Sequence, residues 1–321
     1  MKPRITLLLG DRNGIGPELA AKLLADDSVY EKAEIEVMGD PAVLAEGLAV
    51  IGSNANQNRY RVTEFLPVDG IQTTRAKETA EAGAEMLACL SHAAKRVAAG
   101  EADGVVFAPL NKQAMHMGGL VHDDEMRFIA NELGYTGAFG ELNVLDKLWT
   151  TRVTSHVPLK DVAANITSEA VLVSTRFADE TLRAAGFEKP RVAVAALNPH
   201  AGDGGNFGRE EIDIIAPAVE KARAEGLEVE GPYPSDTVFV RAQRGQHDAV
   251  VTMYHDQGQI AMKLMGFGQG VTVLGGLPVP ITTCGHGTGY DIAGQGIATE
   301  KAIQNAFAIC VDMARSRLAA V

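Results

Sequence analysis

Among its 321 residues the chain has only three cysteines, Cys89, Cys284 and Cys310. Their odd number and wide spacing exclude the disulfide framework of a small secreted domain. Long apolar runs are missing as well, and nothing approaches the ~20 residues needed to span a bilayer. The first apolar stretch, Ile5–Leu9, is cut by Gly10 and Asp11 and is too short for the core of a secretory leader. Basic charge is scarce: 29 Lys and Arg against 41 Asp and Glu give a net charge of -12 and a pI near 5.2. That balance argues against a nucleic-acid or anionic-membrane partner, either of which favours a basic patch. A cytoplasmic protein with no nucleic-acid and no membrane partner is the expectation. The mix of 46% apolar and 22% charged residues places the chain among globular proteins. Its length exceeds the usual range of one hydrophobic core, which suggests two domains. No internal repeat or low-complexity linker marks their junction.

What is present is an alternation. Strands are predicted at 4–9, 34–38, 104–108, 148–154, 191–196 and 248–253. Helices are predicted at 17–24, 75–99, 168–185, 209–225 and 299–318. Pro17 at a first helical position and Glu18 in the first turn are what a helix start favours. Strands alternating with helices mean an α/β protein with largely parallel pairing. Lys112, His156, His200 and His255 each fall just after a predicted strand. Ligands of open α/β sheets bind outside the carboxyl ends of the strands, so these four groups point to one shared cleft.

Three strand-end histidines suit zinc, cobalt, nickel or iron, zinc first, and manganese or magnesium are further alternatives for the ion. Three protein ligands leave a position open, where the ion polarises a substrate oxygen. A single loop histidine is more often just hydrogen-bonded. His92, His116 and His247 lack the strand-end context and read as ordinary. Lys112 is an acid/base candidate or a solvated loop lysine. Lys263, among apolar residues, either snorkels or holds an anionic group. The stretch 250–291 joins His255, Lys263, a glycine-rich run from Gly266 to Gly276, and His286-Gly287-Thr288 before Asp291. The loop from Gly10 to Gly16 lacks the G-x-G-x-x-G spacing, and there is no Walker loop.

Gly14-Ile15-Gly16-Pro17-Glu18 and the run from His286 to Gly294 are similar to the isocitrate/isopropylmalate dehydrogenase fold. More closely, GDRNGIGPE, APLNK, TSHVPLKD, LNPHAGDGGNFGREE, DTVF, MYHDQGQIAMK and GFGQGV with the HGT loop resemble the 4-hydroxythreonine-4-phosphate dehydrogenase family. The pieces run in the family's order from residue 10 to beyond 294. The resemblance implies a two-domain α/β fold of mostly parallel sheets with the active site in the interdomain cleft. Residues 1–118 with 270–321 would bind the dinucleotide; 119–269 would bind metal and substrate and dimerise. It implies NAD or NADP held by Gly14, His286, Gly287, Thr288 and Asp291. It implies a divalent metal on His156, His200 and His255, and a homodimer with shared active sites. His122 and Lys263 would touch the substrate, and Lys112 and Asp236 would serve as acid/base or positioning groups.

Four departures bear on the substrate. Arg12-Asn13 stands where the family usually has Pro-Ala, and His122-Asp123 where it has His-Thr. Thr272 replaces its Asn and Ile281 its Arg. Losing an arginine and gaining an acid beside a phosphate weakens phosphate binding. The expected substrate is therefore not 4-phosphohydroxy-L-threonine. The expected reaction is a metal-dependent, NAD(P)-linked oxidation of a hydroxy acid, with decarboxylation of the β-keto product. Related enzymes act on four-carbon sugar-acid phosphates and on cis-dihydrodiols of aromatic carboxylates such as terephthalate. A catalytically silent metal- or nucleotide-binding protein is the alternative of another class. Tyr290 and Asp291 form no obvious 2′-phosphate site, so NAD versus NADP stays open.

Overall fold

The computed structural model describes residues 1–53, 55–266 and 268–320. Phe267, inside the glycine-rich run, lies outside the described residues. Among the described residues the strands are β1 (Arg4–Leu8), β2 (Glu34–Gly39), β3 (Arg61–Glu64), β4 (Gly104–Phe107), β5 (Gly140–Leu145), β6 (Leu148–Arg152), β7 (Val192–Ala195), β8 (Val229–Tyr233), β9 (Ala249–Thr252), β10 (Val271–Gly275) and β11 (Ile281–Cys284). The chain packs as two units, Met1–Gly140 with Val271–Val321, and Glu141–Gly270.

In the first unit the strand order is β3-β2-β1-β4-β11-β10, parallel except for the β10–β11 pair. β1 and β4 are almost continuously apolar, as central parallel strands covered on both faces must be. Leu8, Met38, Leu90, Phe107, Met115 and Ile281 share one core. Met126 and Ile129, on the helix Glu125–Glu132, belong to the same core. That burial carries the first unit through residue 140, beyond the boundary expected at 118. The long helix also starts later than its spacing suggests, at Ala80 rather than Arg75. Thr79 caps it by accepting from the Ala82 N–H, and Ala76 before it is left-handed, with φ 57°.

In the second unit the parallel order is β6-β9-β7-β8, with β5 antiparallel to β6. Leu145, Leu148, Ala193, Val238, Val250 and Met262 form its core. The helix expected at 209–225 begins with a π-helical turn, Glu211–Ile215, and continues as α-helix from Ala216 to Ala224. Pro217, which has no N–H to donate, sits where the winding changes.

Candidate active site

In the second unit the strand order places the histidines. His156 follows β6, His255 follows β9 and His200 follows β7, three neighbours that run in one direction. Adjacent strands lie about 4.8 Å apart, so groups at their carboxyl ends come close. The rings of His156 and His255 are 5.8 Å apart at an interplanar angle of 46°. His255 Nδ1 is 2.7 Å from Asp256 Oδ1, which orients the ring and leaves Nε2 for a ligand. Two imidazoles, one backed by a carboxylate, suit a borderline divalent ion. His200 lies one strand further on, with its ring against Phe207 at 6.2 Å. Among the described residues no three His, Cys, Asp or Glu groups gather at metal-holding spacing. One chain therefore brings two of the three histidines together and leaves the third apart.

His200 opens an unusual run. His200, Ala201, Gly202, Asp203 and Gly204 have φ of 55, 53, 79, 44 and 67°, all left-handed. A residue with a Cβ pays about 1–2 kcal/mol for that conformation. Glu211 holds the entrance to the run. It is buried, and its Oε1 accepts the N–H groups of Leu197 (2.9 Å) and Asn198 (2.7 Å) while Oε2 accepts Asn198 Nδ2 at 3.0 Å. Sequence reasoning passed over Glu211; the signal was an acid eleven residues after His200 at the head of a helix. Lys263 is exposed between buried Met262 and exposed Leu264, and Asp236 is exposed in the first turn of the helix Ser235–Gln243. His247 is buried near Glu230 and Tyr233, and its burial lowers its pKa, as for a core histidine.

In the first unit the HGT loop is keyed to the N-terminal glycine loop. The Ile15 N–H donates to Thr288 O at 2.9 Å. A Cβ on Gly14 would lie 2.6 Å from Thr288 O and 2.9 Å from Thr288 Cβ, so only glycine lets the loops approach this closely. Tyr290 Oη donates to Asp11 Oδ2 at 2.6 Å, and Asp11 Oδ1 accepts the Asn13 N–H at 2.9 Å. Burial pushes the Asp11 carboxyl up, against the two hydrogen bonds; burial and this carboxylate together raise Tyr290. Glu18, 2% exposed, accepts the N–H groups of Gly294 and Gly296, each at 3.2 Å, and so fastens the turn after Asp291. His286 Nδ1 is 3.0 Å from Gly287 O, and Asp291 is exposed. The pairings of Asp11, Glu18 and Tyr290 were not read from the sequence, because their partners lie nearly a full chain length away.

The two unusual residues Arg12 and Asn13 prove to be fasteners. Buried Arg12 pairs with Glu85 at 2.8 Å and Asp40 at 2.6 Å, and donates to Ile71 O at 3.0 Å. Asn13 Oδ1 accepts the Thr74 N–H at 2.7 Å, Asn13 O accepts the Ala76 N–H at 2.8 Å, and Nδ2 donates to Lys77 O at 3.0 Å.

The remaining first-unit residues divide. Lys112 opens the helix Lys112–Met117, and its Nζ lies 3.4 Å from Glu125. His122 packs edge-on to Phe128 with centroids 6.1 Å apart. Asp123 is exposed and sits 3.7 Å from Arg127, which also pairs with Asp124, so the extra acid has a cation beside it. Thr272 on β10 stands opposite Thr283. Ile281, expected at the substrate, is 1% exposed inside β11 and packs in the core. His92 stacks on Phe65 and His116 Nδ1 meets Leu120 O at 3.0 Å, both ordinary roles.

Comparison with known proteins covers nearly the whole chain. The family model described as pyridoxal phosphate biosynthetic protein PdxA matches residues 26–310. A Pseudomonas aeruginosa protein, named provisionally as a 4-hydroxythreonine-4-phosphate dehydrogenase, is 47% identical over 98% of each chain. The D-threonate 4-phosphate dehydrogenase of Salmonella typhimurium is 35% identical, over 97% of this chain and 98% of its own. The crystal structure of 4-hydroxythreonine-4-phosphate dehydrogenase from Klebsiella pneumoniae superposes with a TM-score of 0.85 at 33% identity, over 98% of both chains.

Proposed function

The chain belongs to the PdxA family and is a dehydrogenase acting on a hydroxyl group, and from that premise we propose that it oxidises a phosphorylated four-carbon hydroxy acid, with NAD(P)+ as hydride acceptor and a divalent ion at the histidines of the second unit. The observation that carries this reading is the His156–His255 pair with Asp256 behind one ring. A divalent ion held there, zinc first, would supply Lewis acidity toward the substrate hydroxyl, and a nicotinamide would supply the hydride acceptor. His200 completes the ligand set in a homodimer whose sites draw on both copies. His286, Gly287, Thr288 and Asp291 hold the dinucleotide, with Gly14 admitting the loop. Lys112, steadied by Glu125, and Asp236 are the groups that take up or hand on the proton of the hydroxyl. His122 and Lys263 bind the anionic groups of the substrate, with Asp123 and Thr272 at its edge.

The phosphorylated class is retained because the relatives are named for phosphorylated substrates, and Asp123 has the exposed Arg127 beside it at 3.7 Å. Within that class Asp123 and Thr272 alter the polar contacts that the family makes with 4-phosphohydroxy-L-threonine. The reading therefore favours an acid of the D-threonate 4-phosphate type, the compound named for the Salmonella relative. Where the oxidised hydroxyl is β to a carboxylate, the β-keto product loses CO2.

A panel with NAD+ and NADP+ tests this. It contains D-threonate 4-phosphate, 4-phosphohydroxy-L-threonine, their unphosphorylated forms and a terephthalate cis-dihydrodiol, each with and without a chelator. Reduction of dinucleotide by the first compound, abolished by the chelator, is the expected result. Turnover of only the dihydrodiol, or binding of metal and dinucleotide without turnover of any compound, rejects it.

A further inference from the structure

The turn from Asp291 to Gly296 is held from one side by a buried carboxylate and covered on the other by a cation. Its Gly294 and Gly296 N–H groups point into protein, at the buried Glu18 carboxylate. On its other side a Cβ at Gly294 would fall 2.8 Å from Arg75 Cζ and Nε, so the Arg75 guanidinium lies directly over this glycine. Arg75 is 37% exposed. Its only ion pair among the described residues is to Glu46, at 3.6 Å and itself 45% exposed. An exposed pair of that length is weak and readily exchanged.

The position of Arg75 is set by its backbone. Residues 74 and 76 on either side donate their N–H groups to Asn13, and Lys77 O accepts from Asn13 Nδ2 and, at 3.4 Å, from Tyr290 Oη. Left-handed Ala76 turns the chain between them. The segment that carries Arg75 is thus tied to both the glycine loop and the HGT loop. Exposed Lys77 adds a second cation.

We propose that Arg75 selects the 2′-phosphorylated dinucleotide, NADP+, over NAD+. The inference rests on the reading of 286–296 as the dinucleotide loop. A guanidinium is a planar fork that grips phosphate oxygens in pairs, and in dinucleotide folds an arginine near the adenosine ribose accommodates the 2′-phosphate. Here the half-exposed fork is placed in advance over Gly294, and Glu46 yields its weak pair to the incoming dianion.

The test is calorimetric titration of the whole protein with ADP-ribose and with 2′-phospho-ADP-ribose, which needs neither substrate nor metal. The wild type is expected to prefer the phosphorylated ligand by about tenfold or more, the scale of a charge-assisted hydrogen-bond pair. Arg75→Gln should collapse that ratio toward unity, and Arg75→Lys, a point charge without the fork, should restore part of it. A wild type with no preference overturns the inference, as does a ratio unchanged in Arg75→Gln. If the wild type binds neither ligand, the dinucleotide reading of the loop falls and takes this inference with it. If ADP-ribose binds and only the ratio fails to respond, the dinucleotide reading stands and Arg75 is not the selector.

Discussion

Gly14→Ala perturbs the proposed cofactor loop through a single methyl group. The new Cβ would stand 2.6 Å from Thr288 O, and real Cβ contacts essentially never fall below 3.0 Å. Backbone lies on both sides, so no flexible side chain can swing away. Thr288 must retreat by at least ~0.4 Å, which stretches the Ile15 N–H to Thr288 O bond now at 2.9 Å. Overpacking of this kind costs about 1–3 kcal/mol. Thr288 belongs to the loop proposed to hold the dinucleotide, so a large share of that cost should appear as lost affinity, roughly tenfold for ADP-ribose. The share that falls on folding lowers the melting temperature by about 1–2 °C per kcal/mol for a protein of this size. Titration calorimetry reads the first quantity and thermal unfolding the second. The metal binding proposed for the second unit serves as the internal control and should be unchanged. Gly14→Ser should behave like Gly14→Ala, because the clash is at Cβ. If affinity for ADP-ribose stays within about twofold of wild type in both variants, the keyed-loop argument is wrong.

The other predictions are as follows. Glu211→Ala strips the acceptor from two half-buried N–H groups and removes one of the two acceptors of Asn198 Nδ2, a loss of about 1–3 kcal/mol that urea unfolding should register, while Glu211→Gln, which keeps one carbonyl acceptor, should lose less; equal stability of wild type and Glu211→Ala removes its role as the strut of the His200 run. His200→Ala should lose bound metal and turnover together, measured by atomic absorption and dinucleotide reduction, whereas His92→Ala should keep both; full activity in His200→Ala sinks the metal assignment. Asp11 has a folded pKa raised by burial above its ordinary 3.8, so its contribution to stability is full below that value and is lost as pH rises through the raised one. Asp11→Asn should therefore gain on the wild type in urea midpoint as pH increases, and a gap that does not change with pH contradicts the sign. Burial pushes the thiols of Cys89, Cys284 and Cys310 up to about 12, so a disulfide reagent at mildly alkaline pH should label them only after denaturation; rapid labelling of the native protein speaks against this packing.

The α/β class was legible because the central strands are short apolar runs bounded by glycine, proline and polar residues, a pattern set by burial on both faces. The strand-end placement of the histidines was legible for the same reason. Which two of them meet was not, since that depends on the β6-β9-β7 order, and strand order is not written in spacing. The start of the long helix was misplaced because 75–79 contains no breaker of its own; Asn13, sixty residues earlier, holds that segment in a turn. Ile281 looked like a substrate position only by correspondence with the family, while its apolar side chain and the flanking β-branched residues already favoured a buried strand. Arg12 and Asn13 read as departures and turned out to hold the loop that carries Arg75. Fastenings between residues near the two ends of the chain leave no local trace.

The route of the chain through the first unit has a consequence for synthesis. β11 lies beside β4 and supplies Thr283 Oγ1 to Phe107 O, yet it is made only after the entire second unit has emerged. Thr288, Tyr290 and Gly294, which meet the loop of residues 11–18, come later still. At translation rates of about 5–20 residues per second, the N-terminal strands wait tens of seconds for their sheet to be completed. During that interval the flank of β4 that β11 will cover has no native partner. A chain that stops between residues 270 and 281 therefore has all of the second unit but lacks β11 and the loop proposed to hold the dinucleotide.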